Sequence, residues 1–109
     1  MRIWDIKPSR LCRNHLLGEH RELHAIWNIL SLNKKGYTHH PETIRWKGKL
    51  SALYQRHQKL VLEMKARGYR HQSPLNKKLA KGKSKQNIFI NELKEQIRIL
   101  KRKKCDCRV

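Results

Sequence analysis

Apolar positions divide the chain into a short arm and three helical stretches. Between Ser9 and Leu32, the residues Leu16, Leu23, Ile26, Trp27 and Leu30 recur at steps of three, four and seven, which places them on one helical stripe. Ser9 suits the N-cap of this first helix, and Gly36 suits the left-handed residue that closes it. A second start signal lies at His39-His40-Pro41-Glu42, because proline is tolerated in a first turn and Glu42 complements the positive end of the helix dipole. Trp46, Leu50, Leu53, His57, Leu60 and Met64 then continue as one stripe up to Gly68, predicting the longest helix of the chain. Residues 69–87, with Pro74, Gly82 and many lysines, predict a loop holding one short helical turn. Phe89, Leu93, Ile97 and Leu100 predict a third helix before Lys101-Arg102-Lys103-Lys104. Upstream of all this, Ile3, Trp4 and Ile6 lack helical spacing and Pro8 disfavours helix at Lys7, so the chain opens as an extended arm. No strand pattern and no internal repeat is found. The expected fold is all-α: one compact domain over residues 1–109, about three helices, the N-terminal arm folded against helix one, and residues 101–109 as a frayed basic tail.

Charge changes the picture most. The 109 residues carry 27 Lys+Arg against 8 Asp+Glu, a formal charge of +19, which calls for a polyanionic partner. Basic residues occur in every segment rather than in one tail, so the folded body carries the positive face. Lys77-Lys78, Lys81, Lys83, Lys85 and Lys101 to Lys104 fit phosphate contacts, which supply affinity without sequence choice. No apolar run reaches the ~18 residues of a membrane span, and no signal-peptide core follows Met1, so a cytoplasmic, membrane-free protein is expected. A monomer is expected as well. Cys12, Cys105 and Cys107 are odd in number and too sparse for a disulfide framework, which makes reduced thiols the default.

Candidate chemistry is sparse. His20 and His24 stand one helical turn apart, but the zinc-protease motif needs Glu directly after the first histidine, where this chain has Arg21. Adding Cys105 and Cys107 leaves two pairs without a partner spacing, so no metal and no cofactor is expected. A metal-dependent nuclease would need clustered carboxylates or histidines that this spacing barely offers. Glu22 stands out by its company, mid-helix after Arg21 and close in sequence to Arg13 and His15. Its plain reading is a structural salt bridge. An arm folded back over helix one would instead bring the Met1 α-amine to that carboxylate. Such an amine has an ordinary pKa of ~7.7 to 8.0, and surrounding cations lower it further. An amine nucleophile beside one carboxylate in a cationic surface is what Schiff-base chemistry at a sugar C1′ requires.

Arg2-Ile3, His15, Glu19-x-Arg21-Glu22-Leu23, Lys49-Leu50 and Arg67-Gly68-Tyr69 together resemble the phage-type pyrimidine-dimer-specific endonuclease V family, DNA glycosylases with AP-lyase activity. The resemblance covers roughly residues 1–33 and 43–70. It implies a metal-independent repair enzyme acting on double-stranded DNA bearing a cyclobutane pyrimidine dimer. Met1 would be the amine nucleophile, because Arg2 matches the family arginine that follows the amine, and Glu22 would assist glycosyl cleavage and elimination. Arg2 and Arg21 match arginines that grip DNA, and Arg13, Asn14, His15 and His24 are further expected DNA contacts. A further family arginine corresponds to Ala25 here, with His24 beside it as a weaker substitute. The family's aromatic C-terminal tail is replaced by the lysine-rich stretch and Cys105-Asp106-Cys107. The rival reading is a noncatalytic basic nucleic-acid binder, which needs neither a free amine nor Glu22.

Overall fold

A computed structural model describes every residue except Met1, Tyr37, 71–73 and Lys104. The described residues form four α-helices: α1 (Arg13–Ser31), α2 (Pro41–Trp46), α3 (Leu50–Ala66) and α4 (Leu93–Arg102). Two single 3-10 turns, Pro8–Arg10 and Lys77–Leu79, complete the regular structure, the second matching the short turn expected in the loop. No strand occurs among the described residues, so the all-α expectation holds.

The apolar stripes do form the core. Leu16, Leu23, Ile26 and Trp27 of α1 meet Leu53, Leu60 and Met64 of α3, with Trp46 and Leu100 closing the sides. The arm contributes as much as a helix would, since Ile3, Trp4, Ile6 and Leu11 are all buried in the same cluster. Full burial of such a side chain stabilises by about 1.5 to 3 kcal/mol, so the arm is structural rather than a loose end.

Four boundaries differ from the sequence pattern. Helix α1 starts after Cys12 rather than at Ser9, because Pro8, Ser9 and Arg10 are taken up by the 3-10 turn and Leu11 leaves it in extended conformation. It ends on Asn33, at φ 51°, rather than on Gly36, with the Lys34 N–H reaching the Ile29 carbonyl at 3.1 Å. The long second helix is two helices. Gly48, at φ 74°, turns the chain between Trp46 and Leu50, so α1, not α3, is the longest helix. Segment 81–83 fills the break: Lys81 and Lys83 carbonyls accept the Ser51 and Ala52 N–H groups that open α3, while the Lys83 N–H donates to Gly48. A side chain at Gly82 would put its Cβ 2.2 Å from the Gly48 carbonyl oxygen, which explains a glycine there. The third predicted helix begins at Leu93, and Phe89 stands 46% exposed outside it.

Gly68 closes α3 as expected. At φ 80° it lets its own N–H reach Lys65 and the Tyr69 N–H reach Met64, which satisfies the last carbonyls. No helix among the described residues is long and apolar enough to cross a membrane.

Candidate active site and its supporting shell

An extended arm in a helical core has no ladder to satisfy its backbone, so side chains must do it. Three helices each supply one. Glu19 of α1 accepts the Trp4 N–H at 3.1 Å, Arg45 of α2 donates to the Ile3 carbonyl at 2.9 Å, and Gln96 of α4 accepts the Asp5 N–H at 2.8 Å. Three consecutive arm residues are thereby fixed from three directions.

Each gripping group is itself held. The other Glu19 oxygen takes Arg56 Nε of α3 at 2.7 Å, and Arg56 also reaches the first oxygen at 2.9 Å. Burial pushes the Glu19 carboxyl above its ordinary range, and the Arg56 charge and hydrogen bonds pull it partly back. Arg45 pairs with Glu42 and with Asp5, and donates to the Ile88 carbonyl, so no donor of this buried guanidinium faces an apolar wall unpaired on those sides. Gln96 donates to Asp5 and to the Asn91 carbonyl. At the base of the arm, Arg67 donates to the Pro8 and Leu11 carbonyls while paired with Glu63.

His15, Glu19, Glu22 and Ile26 recur at four, three and four along α1, so they share one stripe. Trp4 lies across it, its ring edge-on to His15 at 5.8 Å and its N–H on Glu19. Glu22 is half-buried one turn further along. Met1, the expected nucleophile, lies outside the described residues. Arg2 is half-buried, donating to Asn91 at 3.0 Å and stacked 4.9 Å from the Trp4 ring centroid. Arg13, Asn14 and Arg21 are exposed, with Arg13 also 5.8 Å from the Tyr69 ring. Lys77, Lys78, Lys81, Lys83 and Lys85 are exposed as well.

Two expected DNA contacts face inward groups instead. His24 Nε2 lies 3.2 Å from both His20 Nε2 and His57 Nε2, joining α1 to α3. His15 Nδ1 lies 3.1 Å from Cys12 Sγ and 3.2 Å from Cys107 Sγ. Burial, helped by Lys103, lowers the His15 pKa and favours its neutral form. Each of these groups, His20 with His24 and His57, and Cys12 with His15, Cys105 and Cys107, brings its donor atoms within 4.8 Å of one another, as a metal ion would require. The residues that sequence reasoning missed are Arg45 and Gln96, which bind arm backbone 42 and 91 residues away, and Arg56, which binds the Glu19 side chain 37 residues away, since no local spacing marks such remote partners.

The chain is thus a strongly basic helical protein that fixes its own N-terminal arm against the helix carrying Arg21-Glu22-Leu23. The profile of the pyrimidine dimer DNA glycosylase family matches residues 1–77, and the chain belongs to that family. Comparison with curated proteins and with solved structures finds no match.

Proposed function

We propose that this glycosylase excises pyrimidine dimers through the Met1 α-amine and then nicks the strand as an AP lyase. The amine attacks C1′ of the damaged nucleotide, and the C1′–N bond to the base breaks with its electron pair leaving on the base. Opening of the sugar ring oxygen gives a protonated imine at C1′. Loss of a C2′ proton then expels the 3′ phosphate by β-elimination. Glu22 stabilises the developing positive sugar and moves protons, and no metal takes part at the reacting carbon. Arg2, Arg13 and Arg21, with Asn14 nearby on α1, form the expected duplex-facing group, and a base is extruded to admit the arm.

The observation that carries this reading is the grip on Trp4. With Trp4 on Glu19 and Cys12 at the start of α1, the stretch from Trp4 to Cys12 runs antiparallel to the helix, and Trp4 is held one turn before Glu22. Family membership supports the substrate class. Replacing Glu22 by Gln keeps shape while removing the charge and the proton transfer. Glu22→Gln is expected to bind a dimer-containing duplex like the parent and to cut it ~10² to 10⁴ times more slowly. Cleavage at the parental rate would make Glu22 structural and overturn the mechanism.

A further inference from the structure

The Cys12, His15, Cys105 and Cys107 group plays no part in the proposed chemistry, yet two remote chain segments converge to form it. Cys12 caps the N-terminus of α1 and His15 lies one turn inside it, while Cys105 and Cys107 follow α4 at the other end of the sequence. The C-terminal segment is not a frayed tail. Its Arg108 N–H donates to the Arg10 carbonyl at 2.7 Å, Arg10 Nε donates back to the Arg108 carbonyl at 2.9 Å, and Cys107 and Val109 pack against the core. Between these paired backbones, Cys107 Sγ accepts the Cys12 N–H at 3.1 Å.

We propose that Cys12, His15, Cys105 and Cys107 bind one structural zinc ion. Three sulfurs and one imidazole nitrogen form a complete soft donor set, which selects Zn²⁺ over the hard cations and leaves no position for water or substrate. Bonds of ~2.3 Å to sulfur and ~2.05 Å to nitrogen at the tetrahedral angle give nitrogen-to-sulfur edges of about 3.5 Å. The two such edges seen here, 3.1 and 3.2 Å, lie within a few tenths of that figure. The ligands come from both ends of the chain, Cys12-x-x-His15 from one and Cys105-x-Cys107 from the other, so neither pair by itself reveals the site.

Charge favours the same conclusion. Arg10 meets Arg108 and Lys103 acts on His15, so cations outnumber Asp106 at this end of a chain whose formal charge is +19, and bringing the tail against α1 adds to their repulsion. Three thiolates around Zn²⁺ carry a net charge of −1, which offsets that repulsion where a set of neutral thiols would not. The Cys12 N–H on Cys107 Sγ is the kind of outer hydrogen bond that orients a thiolate ligand. The ion would tie the C-terminus to the start of α1 and to the base of the arm, and so would steady the arm indirectly.

The test uses the full chain, expressed without a histidine tag and purified without chelator. Elemental analysis is expected to find about one zinc per chain. Replacing the zinc by Co²⁺ should give the visible absorption of a tetrahedral site with sulfur-to-cobalt charge transfer near the ultraviolet. Cys107→Ser and Cys12→Ser should each lose the ion or its three-sulfur spectrum, and His20→Ala should keep both. Zinc-free protein that also fails to take up Co²⁺ with a thiolate spectrum would overturn the proposal. So would a mass two hydrogens short with a disulfide mapped to these cysteines, or an ion lost in His20→Ala and kept in Cys107→Ser. Wild-type zinc content and the cobalt spectrum decide the matter even if the serine variants fail to fold. None of these readouts involves DNA, so they are separate from the test of the glycosylase mechanism.

Discussion

The Glu19 carboxylate accepts the Trp4 backbone N–H at 3.1 Å, and this one contact ties the N-terminal arm to the helix that carries the candidate catalytic Glu22. Both oxygens of Glu19 also face Arg56, so the same carboxylate joins the arm, α1 and α3. The residue is 2% exposed. Glu19→Ala would leave a largely buried guanidinium and an arm N–H without their acceptor, and is expected to cost about 3 to 5 kcal/mol of stability. Glu19→Gln keeps an acceptor for Trp4 and should lose less. Urea unfolding of the two variants checks the order, and equal losses would mean that the Trp4 contact carries no energy.

Gln96 does for Asp5 what Glu19 does for Trp4, from the far end of the sequence. Gln96→Leu conserves the volume approximately but strands the Asp5 N–H and the Asn91 carbonyl, each of which should cost about 1 to 3 kcal/mol. The loosened arm should also slow cleavage of dimer-containing duplex while binding of undamaged DNA stays near the parental level. Cleavage that survives the full stability loss would show that the arm needs no clamp on this side.

Gly82 is expected to tolerate no side chain. Its φ of 87° costs any other residue about 1 to 3 kcal/mol, and the added Cβ would meet the Gly48 carbonyl as well. In Gly82→Ala the Ser51 and Ala52 amides should exchange with solvent faster, because they donate to Lys81 and Lys83. Unchanged exchange at those two amides would contradict the docking of segment 81–83 on α3.

The core helices were readable because burial imposes a 3.6-residue period, and Gly68 was readable because a left-handed closing residue is nearly always glycine or asparagine. The break at Gly48 was hidden by Trp46, Leu50 and Leu53, whose steps of four and three pass through it unaltered. What decides the break is segment 81–83, some 30 residues later, and no local pattern carries that information. Arg45 and Gln96 were hidden for the same reason, since they bind backbone at Ile3 and Asp5. Glu19 stood in the sequence only as part of a family-like segment, and its grip on the arm follows from a fold-back that helical periodicity cannot express.

Duplex binding should depend steeply on salt. Half-buried Arg2 and exposed Arg13, Arg21, Lys77, Lys78, Lys81, Lys83 and Lys85 offer enough cations for ~5 to 8 phosphates, and each contact contributes a slope of about −0.9 in log affinity against log salt. A titration series between low and physiological salt should therefore fall with a slope of roughly −5 to −7. A slope near zero would remove phosphate contacts from the account of binding.

The nucleophile itself is open to a direct test. Arg2 matches the family arginine that follows the reactive amine, and its side chain is held by Asn91 and Trp4, which fixes the residue next to the expected amine. A lysine side chain has an ordinary pKa of ~10.4 and would need strong desolvation to compete, whereas an α-amine at ~7.7 to 8.0 is partly unprotonated at neutral pH. Position then matters as much as basicity, because Ile3, Trp4 and Asp5 are clamped and one added residue displaces the amine by up to ~3.5 Å. Borohydride present during turnover should trap the imine as a covalent link between DNA and the N-terminal peptide. Acetylating the amine, or placing one glycine before Met1, should abolish both the link and strand cleavage while leaving duplex binding intact. A link mapped to a lysine, or full activity in the glycine-extended protein, would remove Met1 from the mechanism and leave its family membership untouched.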